Sequence, residues 1–146
     1  MVNEHYSYLS SKKQHYFSFV SEGRQGRVVK IVAFTFYKEN RWNLGFGDLR
    51  HGEIDDSIVT NNHDLLKVIQ TVTKIANDFF EQYPDRIVRI VPVDEKRKRL
   101  YNRVFQRHIS EIKPNFEVTG FIGEESETYT IEKMYDFFEI KRILSS

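Results

Sequence analysis

Six cations lie between residues 96 and 107, and their types and spacing suit them to hold an anion. In a helix over 94–112, DEKRKRLYNRVFQRHISEI, each residue turns about 100° from the last. Lys96, Arg99, Arg103 and Arg107 then fall in one line. Cationic groups three and four residues apart on a helix are neighbours and can meet successive phosphates of a nucleic acid or nucleotide. Exposed helices also carry such stripes for solubility alone, so two readings of the line stand.

Arg97 belongs to the other side. Tyr101, Val104, Phe105, His108, Ile109 and Ile112 gather on one face, with Leu100 at its margin, and Arg97 projects into the middle of that apolar sector. An unpaired interior guanidinium costs on the order of several kcal/mol. Arg97 must therefore reach a carboxylate, cap carbonyls, emerge into a cleft, or lie where the helix start projects past the core. The acids of the loop before the first helix, Asp55 and Asp56, or Asp48, are the expected partners. A structural ion pair, a snorkelling side chain and a ligand-facing arginine are the competing readings.

Other clusters carry weaker signals. Asp48, His51, Glu53, Asp55 and Asp56 could hold a divalent cation or a base, but a solvated turn looks the same, and no HxxxH or HExxH spacing supports a metal. No metal and no cofactor is expected. His108 reads as a hydrogen-bonded core histidine rather than a catalyst. Trp42, Tyr16, Phe17 and Phe19 read as core and sheet surface, because no basic residues interleave tightly with them as in a base-stacking platform. There is no Ser-His-Asp motif, P-loop or dinucleotide fingerprint, and no catalytic residue is assigned.

The elements that must position these groups follow from composition and periodicity. The 146 residues suit one domain, with an ordered core expected over 14–143. Hydrophobic residues at 40% and charged residues at 29% exclude a disordered chain. With no cysteine there is no disulfide, thiol nucleophile or zinc-cysteine site. No apolar run reaches the roughly 20 residues of a membrane helix and MVNEHYSYLSSKK lacks a secretion signal, so no membrane association and a cytoplasmic location are expected. The net charge of +1 is unevenly spread. Residues 94–107 hold six Lys/Arg against two Asp/Glu, so +4, and the remainder is −3. That asymmetry points to an acidic or phosphate-bearing partner, a nucleic acid among them.

QHYFSFVS (14–21), the reversal at GRQG (23–26), RVVKIVAFTFY (27–37), a turn at KEN (38–40) and RWNLGFGDL (41–49) form a three-stranded antiparallel meander. Residues 50–62 read as a loop with one short strand at most, and Thr60, Asn61 or Asn62 can cap the helix that follows. Leu65, Val68, Ile69, Val72, Ile75, Ala76, Phe79, Phe80 and Tyr83 then mark that helix, ended by Pro84-Asp85. RIVRIVPV (86–93) is a buried strand and 95–113 the second helix. FEVTGFIG, ETYTIEKM and YDFFEIKRI read as further strands, the last also suiting a helix. The fold class is α+β: the meander, then α-β-α-β-β, with two helices packed on a sheet.

NLGFGD (43–48), IDDSIVTNNHDLLKVIQTV (54–72) and RKRLYNR (97–103) together resemble an uncharacterised bacterial domain family over roughly 14–143. The resemblance implies that Asp55, Asp56, Asn61, Asn62, Arg97 and Tyr101 belong to one site; it implies no activity. More loosely, a meander followed by helix, strand, helix and strand, with LYNRV on the second helix, is similar to the acetyltransferase superfamily that uses acyl-CoA. That resemblance implies a phosphate loop at Val59 to Asp64 and a general acid at Tyr101. VTNNHD departs from it, lacking the glycines that let a pyrophosphate approach the backbone and ending in an acid that would repel it. The expected function is a binding module for an acidic or phosphate-bearing partner through helix 95–113. The alternatives are a degenerate acyltransferase and a protein-interaction domain, dimerising through an edge strand.

Overall fold

In a computed structural model of the chain, the residues described are 5–24, 26–50, 53–55 and 64–143, the side chains of Arg50 and of 53–55 excepted. The chain is α+β, with two helices and a mostly antiparallel strand arrangement. Its contacts group into two compact units, Met1–Thr35 with Gly45–Gln82 and Phe36–Leu44 with Tyr83–Ser146.

The first unit contains β1 (Tyr8–Ser10), β2 (Tyr16–Gly23), most of β3 (Gly26–Lys38), the second half of β4 (Arg41–Arg50), β5 (Glu53–Asp55) and α1 (Leu65–Gln82). The strands lie in the order β1-β2-β3-β4, with β5 on β4. The expected meander is present, and the β2–β3 hairpin runs from Tyr16 opposite Ala33 to Gly23 opposite Gly26. Gly26 closes it at a φ of +83°, where a side chain would be strained. β1 adds an edge strand that the sequence reading left out, and β5 is the short strand within the loop.

Helix α1 buries Val68, Ile69, Ile75, Ala76, Phe79 and Phe80 as its 3.6-residue period dictates. The Phe79 ring stacks on Phe34 of β3 at 4.0 Å, and Phe34 meets Phe17 of β2 edge to face at 6.0 Å. Each such ring, taken out of water, contributes about 1.5–3 kcal/mol. The helix begins later than its expected caps: the Asp64 carbonyl accepts the first helical bond, from the Val68 amide at 3.0 Å, so the capping position is Asp64. Thr60, Asn61 and Asn62 lie outside the described residues.

Thr71 interrupts the apolar face of α1 and is fully buried. Its hydroxyl donates to the Lys67 carbonyl at 2.7 Å and accepts from the Tyr6 amide at 2.8 Å, tying the N-terminal segment to the helix. Lys30 of β3 and Asp48 of β4 form an ion pair of 2.6 Å in which both side chains are 2% exposed or less.

The second unit contains the end of β3, the start of β4, β6 (Ile87–Ile90), α2 (Glu95–Ile112), β7 (Phe116–Ile122), β8 (Glu125–Thr128) and β9 (Phe137–Arg142). Its strand order is β3-β4-β6-β9-β7-β8. β6 runs parallel to β4 from Arg41 opposite Ile87 to Asn43 opposite Arg89, since a helix separates them in the chain; β9 is antiparallel to both β6 and β7.

The strand expected over 127–134 is displaced. Gly123, at φ +59°, closes a tight turn, pairing starts with Ile122 opposite Glu125, and the ladder ends at Thr128. Residues 137–142 form a strand, not a helix, because Phe138 and Ile140 alternate into the core.

Phe105 of α2 stacks on Phe138 at 4.2 Å and seats the helix within this unit. Beneath it, Gly120 faces the ring of fully buried Tyr135, and a β-carbon there would lie 2.4 Å from its Cδ1 and Cε1. The Tyr135 hydroxyl is anchored as well, donating to Glu127 at 2.6 Å. Gly120→Ala is therefore expected to destabilise the chain by about 1–3 kcal/mol through overpacking. Urea unfolding checks it; a midpoint equal to that of the parent would show that the ring moves freely.

Candidate anion-binding helix

Asp94 starts α2. Its backbone is extended (φ −157°, ψ 175°) and its carboxylate accepts from the Arg97 amide at 2.8 Å, an N-cap that satisfies one of the free donors of the first turn. The Arg97 side chain folds back onto the same cap, with Nη1 3.4 Å from the second Asp94 oxygen. Arg97 is 5% exposed, so the inward placement of this cation is what the structure shows.

The acid that reaches Arg97 is the local one, brought there by the capping turn. Asp48 is engaged by Lys30, Asp55 is described in its backbone only, directly opposite Asp48 in the β4–β5 ladder, and Asp56, Asn61 and Asn62 lie outside the described residues. His51 lies outside them too. Among the described residues no group of three His, Cys, Asp or Glu could hold a metal ion.

The pairing of Arg97 is incomplete. A charge-assisted hydrogen bond is about 2.7–2.9 Å long, and its contact with Asp94 is 3.4 Å. Its Nε is buried with no hydrogen-bond partner. Tyr101, one turn on, is half-buried.

Lys96, Arg99, Arg103 and Arg107 are exposed, as the helical period requires. Among the described residues no carboxylate lies within ion-pair distance of any of the four. The only acids within α2 itself are Glu95 and Glu111, near its two ends. Lys98, between the stripe and the buried face, is taken by Asp136 at 2.7 Å. Asp136 also accepts from the Gly123 amide at 2.7 Å, so one carboxylate clips the β7–β8 turn to the helix. The Lys98 ammonium first, and the Gly123 amide second, hold the Asp136 carboxyl below the usual carboxylate range.

The helix kinks at His108, whose backbone (φ −123°, ψ 18°) is non-helical. The ring is half-buried, with Nδ1 3.8 Å from Glu111, rather than a core histidine.

Two further groups are visible only in the folded chain. Asn102 is 3% exposed and grips the backbone of Tyr135 on both sides: its Nδ2 donates to the Tyr135 carbonyl at 2.9 Å and its Oδ1 accepts from the Tyr135 amide at 2.8 Å. Its spacing of three from Phe105 was the one signal that it faces inward. Among the strands, Arg89 lies 4.1 Å from the ring centre of Tyr37 and 5.0 Å from that of Phe137, while Arg86 packs 4.0 Å from Trp42 and 3.5 Å from Tyr83. Cations do interleave with aromatics here. Yet Arg41 and Arg89 converge on Glu139 at 3.1 and 3.6 Å, which neutralises part of this surface.

The fold and the site define an α+β protein bearing one cationic helix. The chain belongs to a family of unknown function, DUF6934, whose model matches residues 2–143. No curated protein and no solved structure matches the chain. No described helix is long and apolar enough to cross a membrane.

Proposed function

We propose that this chain is a binding module that takes an acidic, phosphate-bearing partner, a nucleic acid in the first place, along the outward face of α2. The observation that carries the reading is the line of four exposed cations with, among the described residues, no carboxylate within ion-pair distance of any of them. Arg99 and Arg103, and Arg103 and Arg107, are like charges at i,i+4, each pair costing an isolated helix about 0.2–0.5 kcal/mol. A polyanion laid along the line removes that repulsion and releases its own counterions.

The test is the salt dependence of binding to a labelled single-stranded oligonucleotide, followed by fluorescence anisotropy. Four phosphate contacts give a slope of log K against log salt of about −3, and converting Arg99, Arg103 and Arg107 to Gln reduces it to about −0.7. A slope unchanged by the triple substitution dismisses the stripe.

A second reading, an acyl-CoA-dependent enzyme, is favoured by one observation: α1 connects β4 to a parallel β6 in the order meander, helix, strand, helix, strand. Against it, the Asp64 carboxylate stands at the start of α1, accepting from Tyr6 at 2.5 Å and Ser21 at 2.6 Å, where a pyrophosphate would need free amides. A melting temperature raised by acetyl-CoA, equally in the parent and in the triple variant, would favour this second reading.

A further inference from the structure

We infer that the start of α2 is a phosphate site, in which a phosphate dianion replaces the Asp94 carboxylate between the Arg97 guanidinium and the first free amides of the helix. Arg97 is no part of the exposed stripe, so this inference goes beyond the function proposed above. Two independent observations meet here. An 18-residue helix presents its N-terminus, where unpaired amides and the helix dipole favour an anion. The buried side chain that folds back onto that terminus is a guanidinium whose Nε has no partner and whose Nη1 has only a 3.4 Å contact.

Asp94 marks where the anion sits. One of its oxygens takes the Arg97 amide and the other faces Nη1, but a carboxylate tethered three residues away cannot also reach Nε. A tetrahedral oxyanion, free of the chain, has oxygens to spare for Nε, Nη1 and the amide together, and guanidinium is the group whose planar fork suits such bidentate contact. Asp94 is half-exposed, with its side chain at 48%, so it can swing out into water and open the position. Lys96, exposed one residue before Arg97, adds a cation at the mouth.

The experiment is a titration of the full chain with inorganic phosphate, against sodium chloride at equal ionic strength, read by nitrogen–proton correlation spectra. The Arg97 Nε–Hε resonance and the Lys96 and Arg97 amides are expected to shift saturably with phosphate and not with chloride. Arg97→Met abolishes the saturation. Asp94→Asn, which keeps a capping oxygen while removing the competing charge, tightens the apparent Kd by about tenfold. The second variant decides the matter should the first not fold.

Equal shifts with chloride, saturation that survives Arg97→Met, or weaker binding in Asp94→Asn overturns the site. In the Arg99, Arg103, Arg107→Gln variant, phosphate saturation persists although oligonucleotide binding is lost. Phosphate saturation lost in that variant instead would place the ion on the stripe, overturning the site while leaving the proposed function standing. Stronger competition by a 5′-phosphorylated oligonucleotide than by its 5′-hydroxyl counterpart identifies a strand end as the source; equal competition identifies the free ion.

Discussion

Lys30→Met is expected to lower the unfolding free energy by about 3–5 kcal/mol, the usual effect of removing one member of a buried ion pair. Lys30 and Asp48 sit side by side in β3 and β4 at 2.6 Å, with exposures of 2% and 1%. Desolvating either charge is costly, and the opposite charge offsets it. With methionine at 30 the Asp48 carboxylate stays buried without its ammonium. The double variant Lys30→Met with Asp48→Leu should recover much of the loss, because apolar side chains of similar volume often replace a buried pair at little cost. Urea denaturation of the three proteins measures this. A single variant within about 1 kcal/mol of the parent, the size expected of an exposed pair, would show that these charges are not desolvated together.

Asn102→Leu should be of comparable severity, about 2–6 kcal/mol. The substitution leaves both the amide and the carbonyl of Tyr135 without the partners seen at 2.8 and 2.9 Å, and each buried orphan costs about 1–3 kcal/mol. Gln106→Ala is the control on the same helix. Its amide donates to the Ile131 carbonyl at 3.1 Å in an exposed position, so its loss should cost no more than about 1 kcal/mol. Thermal melts of both variants separate the two cases. Equal losses would mean that the helix, rather than the grip on Tyr135, sets the cost.

Much of this architecture was legible in the residues. The period-two strands of the meander, the apolar stripe of α1 and the opposition of Arg97 to the four outward cations all follow from the geometry of one segment. Those features are local, and a local period places a side chain on a face whatever the rest of the chain does. The start of α2 at 95 was legible for the same reason, whereas the Asp94 cap that meets Arg97 three residues on was not read from the sequence.

Partnership across the chain was not legible. Arg97 calls for an acid, and the residues alone point to Asp55, Asp56 or Asp48 rather than to Asp94, because charge complementarity alone carries no distance. The folded chain places Lys30 on Asp48, Tyr6 on Thr71, and Asn102 on Tyr135, across 18, 65 and 33 residues. None of these pairs has a spacing that repeats, so no pattern announces them; they exist because strand register and helix seating bring the backbones together first. The residues alone thus determined which faces are apolar, which are cationic and where the elements begin. Only the tertiary structure decided which buried polar group satisfies which. An interior hydrogen bond needs its partner within about 3 Å, and the packing inside each unit's own core is what sets that distance.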